Sequence, residues 1–406
     1  MSPVQHDPTP SQAHSARRAL NPRAAWLQLA TAVLAFVTLV ALAPLSGCGG
    51  GVGEGGTGYA SGPITGFGSV IVNDIVFDDS AAQVEDGDGA MRQRADLHLG
   101  MTVEIDSDTP RSGSARAARV RFDSAVRGLV ESVGADGFVV LGQSVAVDDT
   151  TVYDTALAAG LAALARGQLV EVYGLFDAGT GRYRATRVER RADALVYRLR
   201  GVVTEINERL RTLRIGNALF FYGQSLSVPS GVGVGSFVRL FVATTTNNAG
   251  LWPVLGFAEA QRNLADVDGV SVKGLVTSIA SSSQLRVDGR LVDASGATVS
   301  GGPLALGLRV EVNGRLRAGV LIANGIVVRS DAFERDRGFE LRGEIESLAA
   351  DRTSLVLRGV TVGLTRPPVY LDGNASALAV GRSVEVRGLV SVGNGARLDA
   401  VQVKFR

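Results

Sequence analysis

The reactive side chains of this sequence are few, and their positions limit the chemistry open to it. One cysteine, Cys48, occurs in the whole chain. A lone thiol forms no disulfide within the chain and builds no cysteine-rich metal site, so stability must come from packing. Of the three histidines, His6 and His14 precede Cys48. Only His98 remains downstream, in Leu97-His98-Leu99-Gly100, where a polar turn edge accounts for it. A multi-histidine or His-Cys metal site is thereby excluded downstream, and acid-base chemistry would rest on His98 or on carboxylates. No nucleophile-elbow string G-x-S-x-G and no phosphate-binding P-loop occurs, although the chain holds 51 glycines. Among the carboxylates, Glu104, Glu171, Glu311 and Glu385 recur at one place in a repeated pattern, each between apolar neighbours. On a strand that alternation directs them away from the core, toward a solvated face. The run Glu85-Asp86-Gly87-Asp88-Gly89, with Asp78 and Asp79, offers oxygen ligands of the kind calcium takes. It lacks the EF-hand spacing and closing glutamate, and Asp-Gly pairs are ordinary turn formers. No catalytic residue, metal ligand or cofactor is assigned on these grounds.

Cys48 has a context that none of the other reactive residues has. Residues 1 to 23 are polar and hold Arg17, Arg18 and Arg23 against Asp7, residues 24 to 44 are almost wholly apolar, and Leu45-Ser46-Gly47-Cys48 follows. A positive segment, an apolar segment and small residues before the cleavage point are the three zones of an export signal. The string Leu45-Ser46-Gly47-Cys48 resembles a lipobox, the processing motif of bacterial lipoproteins. The resemblance implies cleavage after Gly47, a diacylglyceryl group on the Cys48 thiol and acylation of the new amino terminus. Several acyl chains anchor firmly where one binds only marginally. An uncleaved transmembrane helix is the alternative, since about twenty apolar residues can span a bilayer. The flexible Gly49-Gly50-Gly51 directly after the cysteine fits a tether better. If the host is Gram-negative, Gly49 stands at the second mature position in place of the aspartate that retains such lipoproteins in the inner membrane, and the outer membrane, facing the periplasm, is expected.

The formal charge of the chain is +1, and the segment before Cys48 carries three arginines against one aspartate, so the remainder is close to neutral. That balance argues against a sequence-independent grip on nucleic acid, which needs clustered lysine and arginine.

The glycines punctuate a repeat. An opening strand with glycine near its start appears as Ile64-Thr65-Gly66-Phe67, Val126-Arg127-Gly128-Leu129, Leu199-Arg200-Gly201-Val202, Val272-Lys273-Gly274-Leu275 and Leu341-Arg342-Gly343-Glu344. A second mark reads glycine, two residues, then an alternating strand: Gly100 with Val103-Glu104-Ile105, Gly167 with Val170-Glu171-Val172, Gly307 with Val310-Glu311-Val312, and Gly381 with Val384-Glu385-Val386. The third unit departs, with Gly235 before Val238-Arg239-Leu240. Closing strands carry alanine near their start, as in Ala118-Arg119-Val120 and Ala185-Thr186-Arg187-Val188. Period-two spacing bounded by turn formers predicts about five half-buried antiparallel strands per unit. The organisation expected is a signal segment 1–47, a lipidated cysteine and tether 48–60, and repeats 61–123, 124–192, 195–265, 268–331 and 337–406.

Five short strands leave two exposed edges unless the sheet closes. An all-β tandem array of small five-stranded OB-like β-barrels is therefore expected. The alanine-rich run 155–166, and a shorter one at 375–380, predict a helix between the third and fourth strands, as in an OB-fold. An SH3-like barrel fits less well, an immunoglobulin-type sandwich wants longer units, and a transmembrane barrel wants longer strands and aromatic girdles. The stretch Gly62-Pro63-Ile64-Thr65-Gly66-Phe67-Gly68-Ser69-Val70, with Val72-Asn73-Asp74-Ile75-Val76-Phe77-Asp78 and the repeated G-x-x-V-E-V, resembles the domain of unknown function 5666 family. That family occurs in tandem in bacterial envelope lipoproteins and is uncharacterised, so the resemblance implies no activity.

Aromatic residues concentrate in the third unit, including Phe220, Phe221, Tyr222, Phe237, Phe241 and Trp252. Three consecutive aromatics on one strand cannot all face one core. Phe220, Phe221, Tyr222 and Trp252 are thus candidates for a binding face or for packing against a neighbouring unit. Two functional classes stay open: a non-catalytic envelope lipoprotein that binds or scaffolds a protein or glycan, and a polysaccharide hydrolase working through paired carboxylates.

Overall fold

The computed structural model describes residues 58–391 and 393–406. The expectations placed on Leu45, Ser46, Gly47 and Cys48, and on the export segment as a whole, lie outside the described residues. The first strand begins at Gly58, inside the segment read as tether.

Among the described residues the strands close into five small barrels of one plan. In the first, Gly58–Phe67 pairs antiparallel with Val70–Val72, which pairs antiparallel with Ile75–Asp78. The third strand then runs parallel to the fifth, Ser114–Phe122. The fifth pairs antiparallel with the fourth, Thr102–Ser107, and the fourth closes on the first. This is the strand order of a five-stranded Greek-key barrel of the OB type. The same order recurs in barrels that open with Val126–Val133, Tyr197–Asn207, Val267–Ser281 and Phe339–Glu344. Each again closes through a parallel third and fifth strand. Closure pairs each of the five barrel strands on both sides, and alternation places Val103 and Ile105, for example, inside while Glu104 points out.

The glycine of the second mark has a defined duty in this plan. Its φ is positive in every barrel, at 80° for Gly100, 83° for Gly167, 87° for Gly235, 74° for Gly307 and 81° for Gly381. Side chains other than hydrogen are strained there. The turn it makes aims its N–H back at the opening strand, Gly167 to the Val130 carbonyl at 2.8 Å, and the Val130 N–H answers to the Gln168 carbonyl at 2.8 Å. The equivalent pair of bonds is present in the other four barrels.

The opening glycine stands opposite the first valine of the fourth strand: Gly128 with Val170, Gly201 with Val238, Gly274 with Val310, Gly343 with Val384. In the first barrel that partner is Gly62, opposite Val103, and not Gly66. The reading that opens this repeat at Gly66 therefore sits too far along the chain. Gly62 is small because a Cβ would meet Asn73 Oδ1 at 2.5 Å, where the second hairpin folds over its own barrel. Gly66 is small for another reason, since its Cβ would meet the Glu340 carbonyl of the fifth barrel at 2.4 Å.

The predicted helix at 155–166 is instead two 3-10 turns, Thr155–Leu157 and Gly160–Ala163. Asp154 caps the first, and Gly160 at φ 63° interrupts the run. A segment this short does not offset helix nucleation. The shorter run likewise forms one 3-10 turn, Ala375–Ala377. One α-helix, Asp331–Arg337, joins the fourth and fifth barrels, capped by the Ser330 hydroxyl accepting from the Phe333 N–H at 3.2 Å.

The barrels pack on one another through their opening strands. Gly58–Ser61 runs parallel to Gly269–Val272, Gly66–Phe67 runs parallel to Glu340–Leu341, and Val126–Arg127 pairs antiparallel with Arg198–Leu199. One apolar core spans the first and fifth barrels, another the second and third, and a third belongs to the fourth barrel with Tyr59 of the first.

Candidate functional site

The face that each barrel turns toward its neighbours is built from the opening and fourth strands, and the recurrent glutamates stand on it. In the second barrel Glu171 lies opposite Arg127 and is only 2% exposed. Arg127 bonds it at 2.5 Å and Arg191 at 2.6 Å. Arg191 also reaches Glu189 at 2.7 Å, and Glu189 accepts Arg187 Nε at 2.6 Å. Across the barrel boundary the imidazole Nδ1 of His98 stands 3.0 Å from the same carboxylate, which can only accept. Burial pushes the Glu189 carboxyl up, but His98, Arg187 and Arg191 outweigh it and hold the group at about 2. His98 is thus the first barrel's bond to a buried anion of the second, and not a bare turn edge.

The other glutamates follow the same rule with local substitutions. Glu311 is bonded by Arg329 at 3.0 Å, while the lysine opposite it, Lys273, turns to Glu334 of the connecting helix at 2.7 Å. Glu385 lies 3.6 Å from its cross-strand Arg342 and also pairs with Arg406. Glu104 faces Ser61 and takes its cation from Arg262, in the segment between the third and fourth barrels, at 3.0 Å. The expectation of a solvated face is therefore corrected. Strand alternation separates inside from outside of one barrel, but the outside here is another barrel or an arginine.

In the third barrel Arg239 takes the glutamate's place and faces Arg200 across the ladder. Arg239 is 3% exposed, and two like charges so placed need an anion. The first barrel supplies it. Asp88 bonds Arg239 at 2.9 Å and also pairs with Arg198, and the Gly87 carbonyl accepts from Arg239 and Arg121, each at 2.5 Å. The remaining acids of that run are likewise engaged: Asp86 with Arg92 at 2.6 Å, Asp79 with Arg94 at 2.9 Å, and Glu85 near Arg119 at 3.8 Å. Among the described residues no group of three His, Cys, Asp or Glu side chains is placed to hold a metal ion.

The candidate aromatics divide. Phe220 is fully buried and Tyr222 is 3% exposed, so both belong to the core. Phe221 leaves by the opposite face and is half-buried. Trp252 packs edge-on to Tyr197 with ring centroids 6.0 Å apart, at the margin of the core shared by the second and third barrels. Two carboxylates behave unlike the rest. Asp123 and Asp288 line one small cavity of about 90 Å³ where the first four barrels meet, and burial pushes both up, Asp288 to about 6.

The geometry defines a tandem array of OB-like barrels fastened by arginine-carboxylate contacts. Residues 127–189, 273–326 and 342–404 match the family described as domain of unknown function, DUF5666, covering most of the second, fourth and fifth barrels. The chain is a DUF5666-like tandem-repeat protein. No match was found among curated proteins. Among solved structures, a multidomain protein with nucleic acid binding domains from Streptococcus pneumoniae TIGR4 is 14% identical, with 56% of this chain and 76% of that one covered and a TM-score of 0.15. The Drosophila Unr CSD456 structure is 14% identical, with 51% and 98% covered and a TM-score of 0.14. Likeness at this level says nothing of what this chain binds.

Proposed function

We propose that the protein is a non-catalytic lipoprotein of the bacterial cell envelope, anchored by lipid on Cys48, whose barrels act as a scaffold or binding array for an envelope protein or glycan. The observation that supports it best is the engagement of all four recurrent glutamates by arginines. A carboxylate whose oxygens are already taken by guanidinium N–H groups is not free to meet a glycosidic bond, and a paired-carboxylate hydrolase needs two that are. Burial raises Asp288 to about 6 and pushes Asp123 in the same direction, but their cavity of about 90 Å³ is far below the several hundred Å³ of a ligand pocket. Outer-membrane residence follows from Gly49 if the host is Gram-negative.

Two measurements test this reading. Cys48→Ala should abolish incorporation of labelled palmitate and leave the unprocessed precursor, and normal processing in the variant would overturn the anchor. Separation of membranes on a sucrose gradient should place the protein in the outer fraction, and recovery in the inner fraction would overturn that placement.

A further inference from the structure

The contact between the first and third barrels has the features of an occupied binding site. On the third barrel, Arg198, Arg200 and Arg239 converge with Arg121 of the first, while Phe237 and Phe241 stand beside them. Arg200 lies over the Phe237 ring at 5.5 Å and Arg239 over Phe241 at 5.3 Å. Asp88 and Asp123 are the carboxylates in direct contact with this group, the latter 3.2 Å from Arg239, while the nearby Asp86 and Glu104 are taken by Arg92 and Arg262. Four guanidinium groups thus converge on two carboxylates in a desolvated place. What fills it is the tip of a hairpin. Asp86 pre-shapes that tip by accepting the Asp88 and Ala90 N–H groups at 2.9 and 3.0 Å, and Gly87 must lack a side chain, since a Cβ would fall 2.2 Å from Asp123 Oδ1. The tip presents one carboxylate and one carbonyl to the arginines, and the Asp88 side chain remains 31% exposed. A cavity of about 300 Å³ opens beside it, lined by Phe241, Ala258, Gln261 and Arg262, with Glu259 at its rim.

We infer that the Asp86–Ala90 tip is an internal pseudo-ligand, and that the arginine-aromatic face beneath it binds an acidic carbohydrate whose carboxylate replaces that of Asp88. The arginines suit a carboxylate because two guanidinium groups can grip it with paired hydrogen bonds. The ring beside them and the adjoining cavity suit a sugar, which needs an apolar surface next to its charged group. The third barrel's departure from V-E-V then has a purpose. A glutamate at position 239 would neutralise the face permanently, as Glu171 does in the second barrel, whereas an arginine keeps it open to an anion from elsewhere. This deepens the binding reading above and rests on it only for the location of the ligand.

The test is titration of trigalacturonate into the full chain purified in detergent, followed by calorimetry, beside an Asp88→Asn variant. A docked tip lowers the apparent affinity by the fraction of molecules that are open, so releasing it raises affinity. Asp88→Asn keeps the side chain's size and should tighten binding by about tenfold or more, since the tip loses the charge behind its contacts to Arg198 and Arg239. Adding Arg198→Gln to that variant should abolish the gain. Circular dichroism of each variant establishes that the barrels stay folded, and if Arg198→Gln does not fold, Phe241→Leu in the Asp88→Asn background should reduce the gain instead. Unchanged affinity in Asp88→Asn would overturn the inference, because the tip would then be a structural contact alone. Tighter binding of tripolyphosphate than of trigalacturonate would overturn the carboxylate assignment. None of these outcomes touches the anchor, which is read from Cys48 and from membrane fractionation, so the two proposals fail separately.

Discussion

Replacing Glu189 by glutamine removes a charge that two arginines and the His98 imidazole share. The carboxyl is 2% exposed and is held at about 2 instead of the ordinary 4.5. A group whose folded value is depressed stabilises the fold above its unfolded value, and that contribution is lost as pH falls toward the folded value. Here the contribution is about 3 kcal/mol at pH 7, fading between pH 4.5 and 2. Glutamine also leaves Arg187, itself 6% exposed, without its nearest anion. The expected loss at pH 7 is thus about 3–5 kcal/mol. Urea unfolding of the full chain, followed by far-UV circular dichroism at intervals from pH 7 to pH 2, measures it. The variant and the parent should differ most at neutral pH and converge at pH 2. A loss below about 1 kcal/mol at pH 7, or a difference that does not shrink with acid, would refute the assignment of Glu189 as the electrostatic centre. His98→Gln serves as the control: its side chain is 47% exposed, so losing its bond should cost about 1 kcal/mol or less.

Three further outcomes are expected. Gly381→Ala, at φ 81° with open space around it, should cost about 1 kcal/mol of backbone strain. Gly307→Ala carries the same strain and also drives a Cβ to 2.1 Å from Asp177 Oδ1, so thermal unfolding should show a cost about twice as large, and equal costs would refute the packing account. Asp288→Asn keeps the acceptor for the Leu275 N–H, which now lies 3.1 Å away, and removes a carboxyl raised to about 6. A raised carboxyl costs stability as pH rises from about 4 through 6, so the variant should match the parent below pH 4 and exceed it by about 1–2 kcal/mol at pH 8, as read by melting curves across that range. Phe220→Ala should cost about 3–5 kcal/mol, and Phe221→Ser, on the outer face, about 1 kcal/mol or less; comparable melting losses for the two would place Phe221 in an interface.

Much of one barrel was legible in the sequence because the marks are local. A glycine that must take a left-handed turn, followed two residues later by alternating apolar residues, states both a turn and a strand. The opening of the first barrel was misplaced because Gly62 and Gly66 are both obligatory, one for its own hairpin and one for the fifth barrel, and spacing alone does not tell them apart. The run at 155–166 has helical propensity, yet Gly160 and the short distance between two strands override it. Relations between barrels were not legible. Nothing local to Leu97-His98-Leu99 names Glu189 as its partner, and nothing around Glu171 says that Arg191 will close over it. One signal was available all the same: the closing strand of the second unit ends in Arg187-Val188-Glu189-Arg190-Arg191, a density of charge out of keeping with a free strand end.

The departures from the repeat are informative because they answer one another. A barrel with both a base on its opening strand and an acid on its fourth, such as Arg127 with Glu171, neutralises its own outer face. Five such barrels would present interchangeable faces, and similar units in one chain would have little to stop them from docking in the wrong order. The first barrel instead has no base on its opening strand to face its acid, Glu104 standing across from Ser61, and the third has two bases with no acid, Arg200 across from Arg239. Neither face is satisfied alone. The first takes Arg262 from beyond the third barrel, and the third takes Asp88 from the first, so the two unsatisfied members are tied to each other at two points. A wrong neighbour would leave Arg239 buried without an anion, a cost of several kcal/mol that a matched pair never imposes. The break in the repeat thus favours one neighbour for the third barrel over the others, because only the first barrel brings Asp88 to Arg239.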